Sequence, residues 1–508
     1  MHEELGVNSA TVSTETAIPP YQQVLGHPRP LWMLFMTEFW ERFCYYGMRW
    51  ALVLYIVAQF HHNDPAAQTQ ASQLYGIYSG LIYAGCIFGG FIADHILGYQ
   101  RSILLGAFIL AIGQFFVAIP TPTCFELGLA ISVVGSGFFK PNVSTIVGKI
   151  YHRADPRRDR GFTLFYMGIN AGSFVSPVLT GWLAQSVFGT PTDQNYQVVF
   201  IVSGIGMLIS LVWFLLGKKQ FLGVGGPPVG RQSLRYPLTV FACAVGATPL
   251  VFWLLRHLQA NVLTVILAAM LVCLSAYMLL MAARQGRIAV DRVLAMLTIF
   301  LFNIVFWIFF EQAGSSFTFL AENIVDRHIN PSWQIPLAWY QAVNPIAILI
   351  FAPLVAACWT FLYRRRREPS VPAKFAYGLL FNSVAFLPLI FALIYLMDPH
   401  QHIPYWPLVV VYVLQTVGEL CLSPIGLSMV SKLAPSRLTG IAMGGWFLSI
   451  SISSKLAGVF AGSISGETGM TVHSALAGYQ FGFWSLFVSA IILLLITPKM
   501  KTLMHGVK

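Results

Sequence analysis

The chain has 508 residues, of which 56% are hydrophobic and only 10% are charged, whereas soluble domains carry about 25% charged residues. This composition excludes an ordinary soluble protein and predicts an all-α polytopic membrane protein. The formal net charge of +11 is interpreted as a signal of membrane orientation, because lysine and arginine concentrate in short cytoplasmic loops, and no nucleic-acid partner is expected.

Fourteen apolar segments are long enough to cross a bilayer as helices, which takes about 20 residues each. We predict these spans at residues 31–59, 74–97, 102–119, 124–149, 161–186, 197–217, 236–255, 260–283, 293–321, 337–363, 374–396, 403–430, 439–462 and 476–497. With a cytoplasmic N-terminus, most of the 30 lysines and arginines fall in cytoplasmic segments, so both termini are expected on that side.

The first span is unusual because it contains four ionisable residues, Glu38, Glu41, Arg42 and Arg49. A charge near the bilayer centre costs roughly 2.5 to 3.5 kcal/mol, so these groups must face protein, water or substrate. At 100° per residue they form one stripe, which also includes Tyr45. The alternative is a set of buried ion pairs that only hold helices together. The complete stripe favours a transporter.

The fourteen spans can be divided into six, two and six. The fourth span of each six carries an ionisable residue, Lys140 in one and Glu419 in the other, and the segment Gly89–Asp94 resembles a loop typical of major-facilitator transporters. We therefore predict that fold, with two six-helix bundles and an inserted two-helix hairpin. The expected division is a disordered tail at 1–29, a first bundle at 30–217, a linker with the hairpin at 218–289, a second bundle at 290–498 and a tail at 499–508.

Two segments make the resemblance more specific. Glu38–Gly47 resembles the ExxERFxYYG signature of the proton-dependent oligopeptide transporter family, and Phe165–Ser173 resembles its second signature. Further matches follow in order at Phe138–Asn142, Phe306–Gln312, Asn344–Pro345 and Gly418–Pro424. The hairpin and the short loop at 397–405 are similar to the bacterial members, which implies a bacterial inner membrane.

The resemblance implies import of di- and tripeptides by alternating access, driven by the proton gradient. The residues agree with it, since Arg42 and Lys140 offer cations for a peptide carboxylate and Glu419 offers an anion for its ammonium group. For each aromatic residue alone, ordinary helix packing is the alternative. The expected substrate-binding residues are Arg42, Tyr45, Tyr46, Arg49, Tyr83, Lys140, Asn170, Trp307, Glu311, Asn344, Glu419 and Trp446.

Proton coupling requires a carboxylate that titrates while its neighbours change partners. Glu38, Glu41 and Glu311 are the candidates. The family match implies that Arg49 and Glu311 pair across the two halves, and that Glu38 or Glu41 exchanges between Arg42 and Lys140. Lys455, in the penultimate span, is unexplained, and both a functional role and structural pairing stay open.

Other classes of protein receive less support. The alternative from a different class is a membrane-embedded enzyme or a channel, but no Ser-His-Asp, phosphate-binding or metal-ligand pattern supports it. The seven cysteines form no CxxC pair, so neither disulfides, a metal site nor a cofactor is expected. The alternative within transporters is a proton-coupled carrier of nitrate or another small anion, which Glu419 disfavours. We expect a monomer whose partners are peptides, protons and the lipid bilayer.

Overall fold

The computed structural model describes residues 18–152, 155, 157–257, 260–434 and 439–506. Most of the expected N-terminal tail therefore lies outside the described residues. From Arg29 onward, most of the described residues lie in helices. The first six helices are α1 (Arg29–Tyr55), α2 (Ala67–Ile92), α3 (Tyr99–Val117), α4 (Pro122–Lys149), α5 (Arg158–Trp182) and α6 (Tyr196–Gly217).

The hairpin and the second half follow in the same manner. The hairpin consists of α7 (Arg235–His257) and α8 (Ala260–Ala283). The remaining helices are α9 (Arg287–Phe310), α10 (Ser316–Asn323), α11 (Trp339–Arg364), α12 (Val371–Val384), α13 (Leu387–Tyr395), α14 (Trp406–Leu433), α15 (Thr439–Ser465) and α16 (Val472–Leu503). A 3₁₀ turn, Glu311–Gly314, joins α9 to α10 within one span.

Short strand pairs lie at the ends of the helices. β1 (Gln23–Val24) pairs antiparallel with β2 (His27–Pro28), and β4 (His328–Asn330) with β5 (Trp333–Gln334). β3 (Val325–Asp326) runs parallel to β6 (Ile403–Pro404), which joins two loops at one end of the second half. None of these pairs is long enough to form a separate layer.

Thirteen helical segments among the described residues are long and apolar enough to cross a membrane. α1 has 27 residues and falls outside that set because of its charged residues, so with α1 the count equals the fourteen predicted spans. Proline explains one local interruption: Pro388 has no N–H to donate to the preceding turn, and the span that begins with α12 is broken before α13.

Glycines let the helices approach closely. A Cβ atom on Gly89 of α2 would lie 1.8 Å from the carbonyl oxygen of Gly137 on α4, and one on Gly76 would lie 2.8 Å from Gly458 Cα on α15. The first contact lies within the first half, and the second joins the two halves. Small residues serve this purpose in membranes, where association depends on packing and not on the exclusion of water.

The two halves are held together at the end of the molecule that contains the α1–α2 connection. Gln68 there accepts a hydrogen bond from the Met470 N–H at 2.9 Å, and the Thr69 hydroxyl donates to the Gly462 carbonyl at 3.0 Å. At the same end, the Trp339 indole of α11 donates to the Val178 carbonyl of α5 at 3.3 Å. The hairpin contacts both halves, since α7 packs on α4 and α8 packs on α15 and α9.

Candidate functional site: a charged cavity between the two halves

A cavity of about 190 Å³ lies between the halves, between α1, α2 and α4 on one side and α9, α11 and α14 on the other. Most of the predicted substrate-binding residues line it. They are Arg42, Tyr45, Tyr46, Arg49, Tyr83, Lys140, Trp307, Glu311, Asn344 and Glu419. Residues that are far apart along the chain therefore meet at one place.

Arg42 is bound by both carboxylates of its own helix. Its Nε atom lies 3.1 Å from Glu38 Oε1, and its Nη2 atom donates to Glu41 Oε1 at 2.7 Å. Glu38 and Arg42 are four residues apart, which places them on one helix face. All three residues are buried, and Glu38 Oε2 has no hydrogen-bond partner among the described residues. Two carboxylates share one guanidinium, so when both are ionised this group holds one negative charge more than Arg42 can neutralise.

Lys140 contributes a second cation without a carboxylate partner of its own. Its ammonium lies 3.8 Å from the ring centroid of Tyr83 and 5.8 Å from that of Tyr45, and no described carboxylate lies within ion-pair distance. The Arg42 guanidinium lies 5.3 Å from the same Tyr45 ring. The electron-rich face of an aromatic ring stabilises a cation only partly, so Lys140 is the cation best placed to accept an incoming anion.

Arg49 and Glu311 form the ion pair that connects the two halves. Arg49 Nη2 lies 2.8 Å from Glu311 Oε2, and Arg49 Nε donates to the Tyr75 hydroxyl at 3.1 Å. The 3₁₀ turn positions Glu311, and Gly314 in that turn leaves room for Tyr75, because a Cβ atom there would lie 2.2 Å from the tyrosine oxygen. The sequence prediction that Arg49 and Glu311 pair is thus reproduced by the geometry.

Glu419 lies on the second half and is bound by neutral groups. Asn344 Nδ2 donates to Glu419 Oε2 at 3.1 Å and to the Thr416 hydroxyl at 2.8 Å. Trp307 is fixed by its indole N–H, which donates to Asn303 Oδ1 at 3.0 Å. No described lysine or arginine forms an ion pair with Glu419. The carboxylate is therefore available to a cationic ligand.

Two predicted residues do not line this cavity. The Asn170 amide donates to the Tyr166 carbonyl of its own helix at 2.8 Å. Trp446 is buried, with its ring centroid 5.9 Å from that of Phe300 and 6.4 Å from that of Phe375. A substrate contact for these two stays a prediction.

The cavity also contains residues that the sequence analysis missed: Phe310, Ala313, Gln341, Tyr412 and Gln415. Helix periodicity could have found three of them, because Gln341 precedes Asn344 by one turn, and Gln415 and Tyr412 precede Glu419 by one and two turns. Gln415 donates to Asn382 Oδ1 at 2.9 Å, and Gln341 donates to the Ala313 carbonyl at 2.8 Å.

Lys455 lies on α15 and is not among the residues that line the cavity. It is 1% exposed, and its ammonium has no hydrogen-bond partner among the described residues. A Cβ atom on Gly80 of α2 would lie 3.3 Å from Lys455 Cβ, so the residue belongs to the contact between the halves.

Two six-helix halves, a hairpin between them along the chain and a charged cavity at their interface define a transporter of the major-facilitator type, not an enzyme. The sequence model of the POT family matches residues 100–474. The chain belongs to this family.

Full-length relatives agree with the family match. The chain is 32% identical to the peptide transporter YePEPT of Yersinia enterocolitica over 516 residues, which cover 96% of this chain and 97% of that protein. It is also 32% identical to dipeptide and tripeptide permease B of Photorhabdus asymbiotica over 494 residues, which cover 95% and 98% of the two chains. Both alignments extend beyond the segment matched by the family model.

Solved structures show the same architecture. A crystal structure of peptide transporter POT in complex with sulfate superposes with a TM-score of 0.80 at 30% identity and covers 96% of this chain and 98% of its own. A mutant of peptide transporter POT in complex with alafosfalin gives a TM-score of 0.81 at 30% identity, with the same coverage. The predicted all-α polytopic fold is confirmed, and the protein is a multi-pass membrane protein.

Proposed function

We propose that this protein is a symporter that imports di- and tripeptides with protons. The observation that carries the proposal is the separation of charge across the cavity, where Arg42 and Lys140 lie on the first half and Glu419 lies on the second. A peptide of any sequence carries a carboxylate at one end and an ammonium group at the other. A site that binds both ends can therefore accept many side chains. The names of the relatives in Yersinia and Photorhabdus support this substrate class.

The same charges provide a route for proton coupling. Protonation of Glu38 or Glu41 would remove the excess negative charge at Arg42 and free part of its guanidinium for the substrate carboxylate. Proton and peptide binding would then favour each other, because protonation frees hydrogen-bond donors of Arg42 for the substrate carboxylate. By reciprocity, a bound peptide would favour the protonated carboxyl group. The proposed transport cycle uses no cofactor, since the proton gradient supplies the driving force.

The position of the Arg49–Glu311 pair supports alternating access. It lies towards the end of the molecule at which the halves also meet through Gln68 and Thr69. With both termini in the cytoplasm of a bacterial cell, as the distribution of lysine and arginine predicts, this closed end would face outward. The structure would then represent the conformation in which the cavity is closed towards the outside of the cell.

Uptake by purified protein in liposomes tests the substrate class. Labelled dialanine should accumulate when the outside is acidic, and unlabelled tripeptides should compete while free amino acids and nitrate should not. Lys140→Ala should lose this uptake while keeping its folded, monodisperse state, because the cation for the substrate carboxylate is absent. Competition by nitrate but not by tripeptides would replace the peptide proposal with an anion carrier, for which the Glu419 carboxylate in the cavity offers no favourable contact.

A further inference from the structure

A second and larger cavity, of about 820 Å³, lies in a cleft between α7 and the first half. Its walls come from α2, α4 and α7 and are almost entirely apolar, with Phe88, Ile92, Phe138, Val240 and Leu250 among them. Phe88 is 64% exposed and Leu250 is 60% exposed, so neither is covered by another part of the described chain. In a membrane, such a cleft is filled by hydrocarbon.

One end of the cleft is basic. Arg231 and Arg235 line it there, and their guanidinium carbons lie 5.8 Å and 5.0 Å from the ring centroid of Tyr236. Arg235 Nη2 also donates to the Tyr236 hydroxyl at 3.2 Å. Neither guanidinium forms an ion pair with a carboxylate in the part of the chain that the structure describes. Most of their N–H donors therefore remain available to an external anion.

The basic end is held in place by the first turn of α3. Arg101 Nη1 donates to the Arg231 carbonyl at 3.2 Å, and its Nη2 donates to the Gln232 carbonyl at 2.5 Å. The neighbouring Gln100 side chain donates to the Val224 carbonyl at 2.7 Å. The linker before α7 is thus fixed against the first half, and the two arginines are positioned before any ligand arrives.

We propose that this cleft binds one anionic glycerophospholipid. Its phosphate group would lie at Arg231 and Arg235, since guanidinium groups bind phosphate through paired hydrogen bonds. An acyl chain would follow the apolar wall of α7. The cleft extends along α7 from Arg235 to Leu254, roughly 28 Å at 1.5 Å per residue, which exceeds the hydrocarbon depth of one leaflet, about half of 30 Å.

Charge complementarity and placement favour an anionic lipid over other occupants. A zwitterionic phospholipid carries an ammonium group beside its phosphate, which two arginines without carboxylate partners repel, and a soluble phosphate makes no use of the apolar wall. Basic pockets between membrane helices are typical sites for anionic headgroups on the cytoplasmic side, which is the side that the predicted topology assigns to Arg235. A bound lipid would fasten α7 to the first half while α8 stays packed on α15 and α9.

Two cysteines allow a direct test on the full-length protein in a neutral detergent. Cys243 lines the cleft, whereas Cys273 is exposed on the neighbouring helix α8. The rate at which N-ethylmaleimide alkylates each thiol is measured by mass spectrometry, with phosphatidylglycerol, chain-matched phosphatidylcholine or glycerol 3-phosphate added. Phosphatidylglycerol should halve the Cys243 rate at an amount about tenfold lower than phosphatidylcholine requires, and the Cys273 rate should not change. Glycerol 3-phosphate should have no effect.

Charge variants test whether the arginines cause the preference. Arg231→Gln with Arg235→Gln should make the two lipids equally protective. Lys218→Gln with Lys219→Gln removes the same charge from an exposed turn after α6 and should keep the preference. Ala247→Trp, which fills the apolar wall, should weaken protection by both lipids. If the arginine variant does not fold, the comparison of lipids and Ala247→Trp still decide the proposal.

Several outcomes would overturn the proposal. Equal protection by both lipids in the unaltered protein would mean that the cleft takes any acyl chain. A loss of preference in both charge variants would mean general surface attraction. Protection by glycerol 3-phosphate would indicate a soluble phosphate ligand, and protection that rises with protein concentration without lipid would indicate a second copy of the chain. Unchanged Cys243 reactivity with every lipid would leave no lipid site.

Discussion

Arg42 and Arg49 lie two turns apart on α1, yet their ion pairs differ in one decisive respect. The partners of Arg42 are Glu38 and Glu41 on the same helix, whereas the partner of Arg49 is Glu311 on the other half. Movement of the halves leaves the first cluster intact but must break the second pair. The comparison separates two tasks: the Arg42 cluster is suited to coupling a proton to a ligand, and the Arg49 pair is suited to opening and closing the cavity.

The largest effect is expected from Arg42→Ala, which leaves two buried carboxylates without their cation. We expect a loss of about 3 to 5 kcal/mol in the free energy of unfolding, together with complete loss of peptide uptake. Thermal unfolding in detergent measures the first and liposome uptake the second. Arg157→Ala is the matched control, because the Arg157 side chain is 43% exposed beside Asp155 and its removal should lower the stability far less, since an exposed ion pair is screened by water. Equal losses in the two variants would contradict the buried cluster.

Glu419 extends the comparison to a carboxylate that has no arginine partner. Glu419→Gln should weaken binding of dialanine by about 2 to 5 kcal/mol, the cost of one lost partner of a buried charge pair, since the peptide ammonium would be left without its anion. Acetyl-dialanine has no ammonium group and should bind almost unchanged. Competition affinities of both ligands on both proteins provide the measurement. Similar losses for the two ligands would show that Glu419 acts through helix packing or the proton path.

A double-mutant cycle sharpens the contrast at Arg49. Arg49→Gln and Glu311→Gln each leave one buried charge alone, so the double variant should be more stable than the sum of the single effects predicts. We expect a coupling energy of about 0.5 to 3 kcal/mol, the range for contacting residues, from thermal unfolding. The same cycle on Arg256 and Glu126, which are 3.8 Å apart with Arg256 45% exposed, should give about 1 kcal/mol or less. If the effects of Arg49→Gln and Glu311→Gln on stability simply add, the two side chains do not interact, and the pair cannot hold the two halves together as a gate.

The smallest expected change in free energy is the one that tests the coupling of peptide transport to protons most directly. A proton gradient can drive peptide accumulation of about tenfold, or 1.4 kcal/mol, per pH unit. Glu38→Gln or Glu41→Gln should abolish this accumulation. Counterflow of dialanine should persist, since exchange needs alternating access but no net proton movement. Glu126→Gln serves as the control, because Glu126 lies away from this cavity, beside Arg256. If accumulation and counterflow fall together, both carboxylates are structural.

Much of the architecture could be predicted from the sequence because the signals are local. Hydrophobic length determines each span, and the 100° step between helix residues places Glu38, Arg42 and Arg49 in one stripe without any tertiary information. The family motifs lie in continuous segments for the same reason. The count of fourteen spans therefore agrees with the structure, and most of the residues predicted to bind substrate line one cavity.

Tertiary structure alone decided which of these residues meet. Arg49 and Glu311 are 262 positions apart, and only the packing of the halves and the 3₁₀ turn bring them within 2.8 Å. The same packing places Trp446 against Phe300 and Gln415 at the cavity, although the sequence predicts a substrate contact for Trp446 and none for Gln415. A side chain's helix face is a local property, whereas the neighbour that covers this face depends on how whole helices cross, which no local pattern specifies.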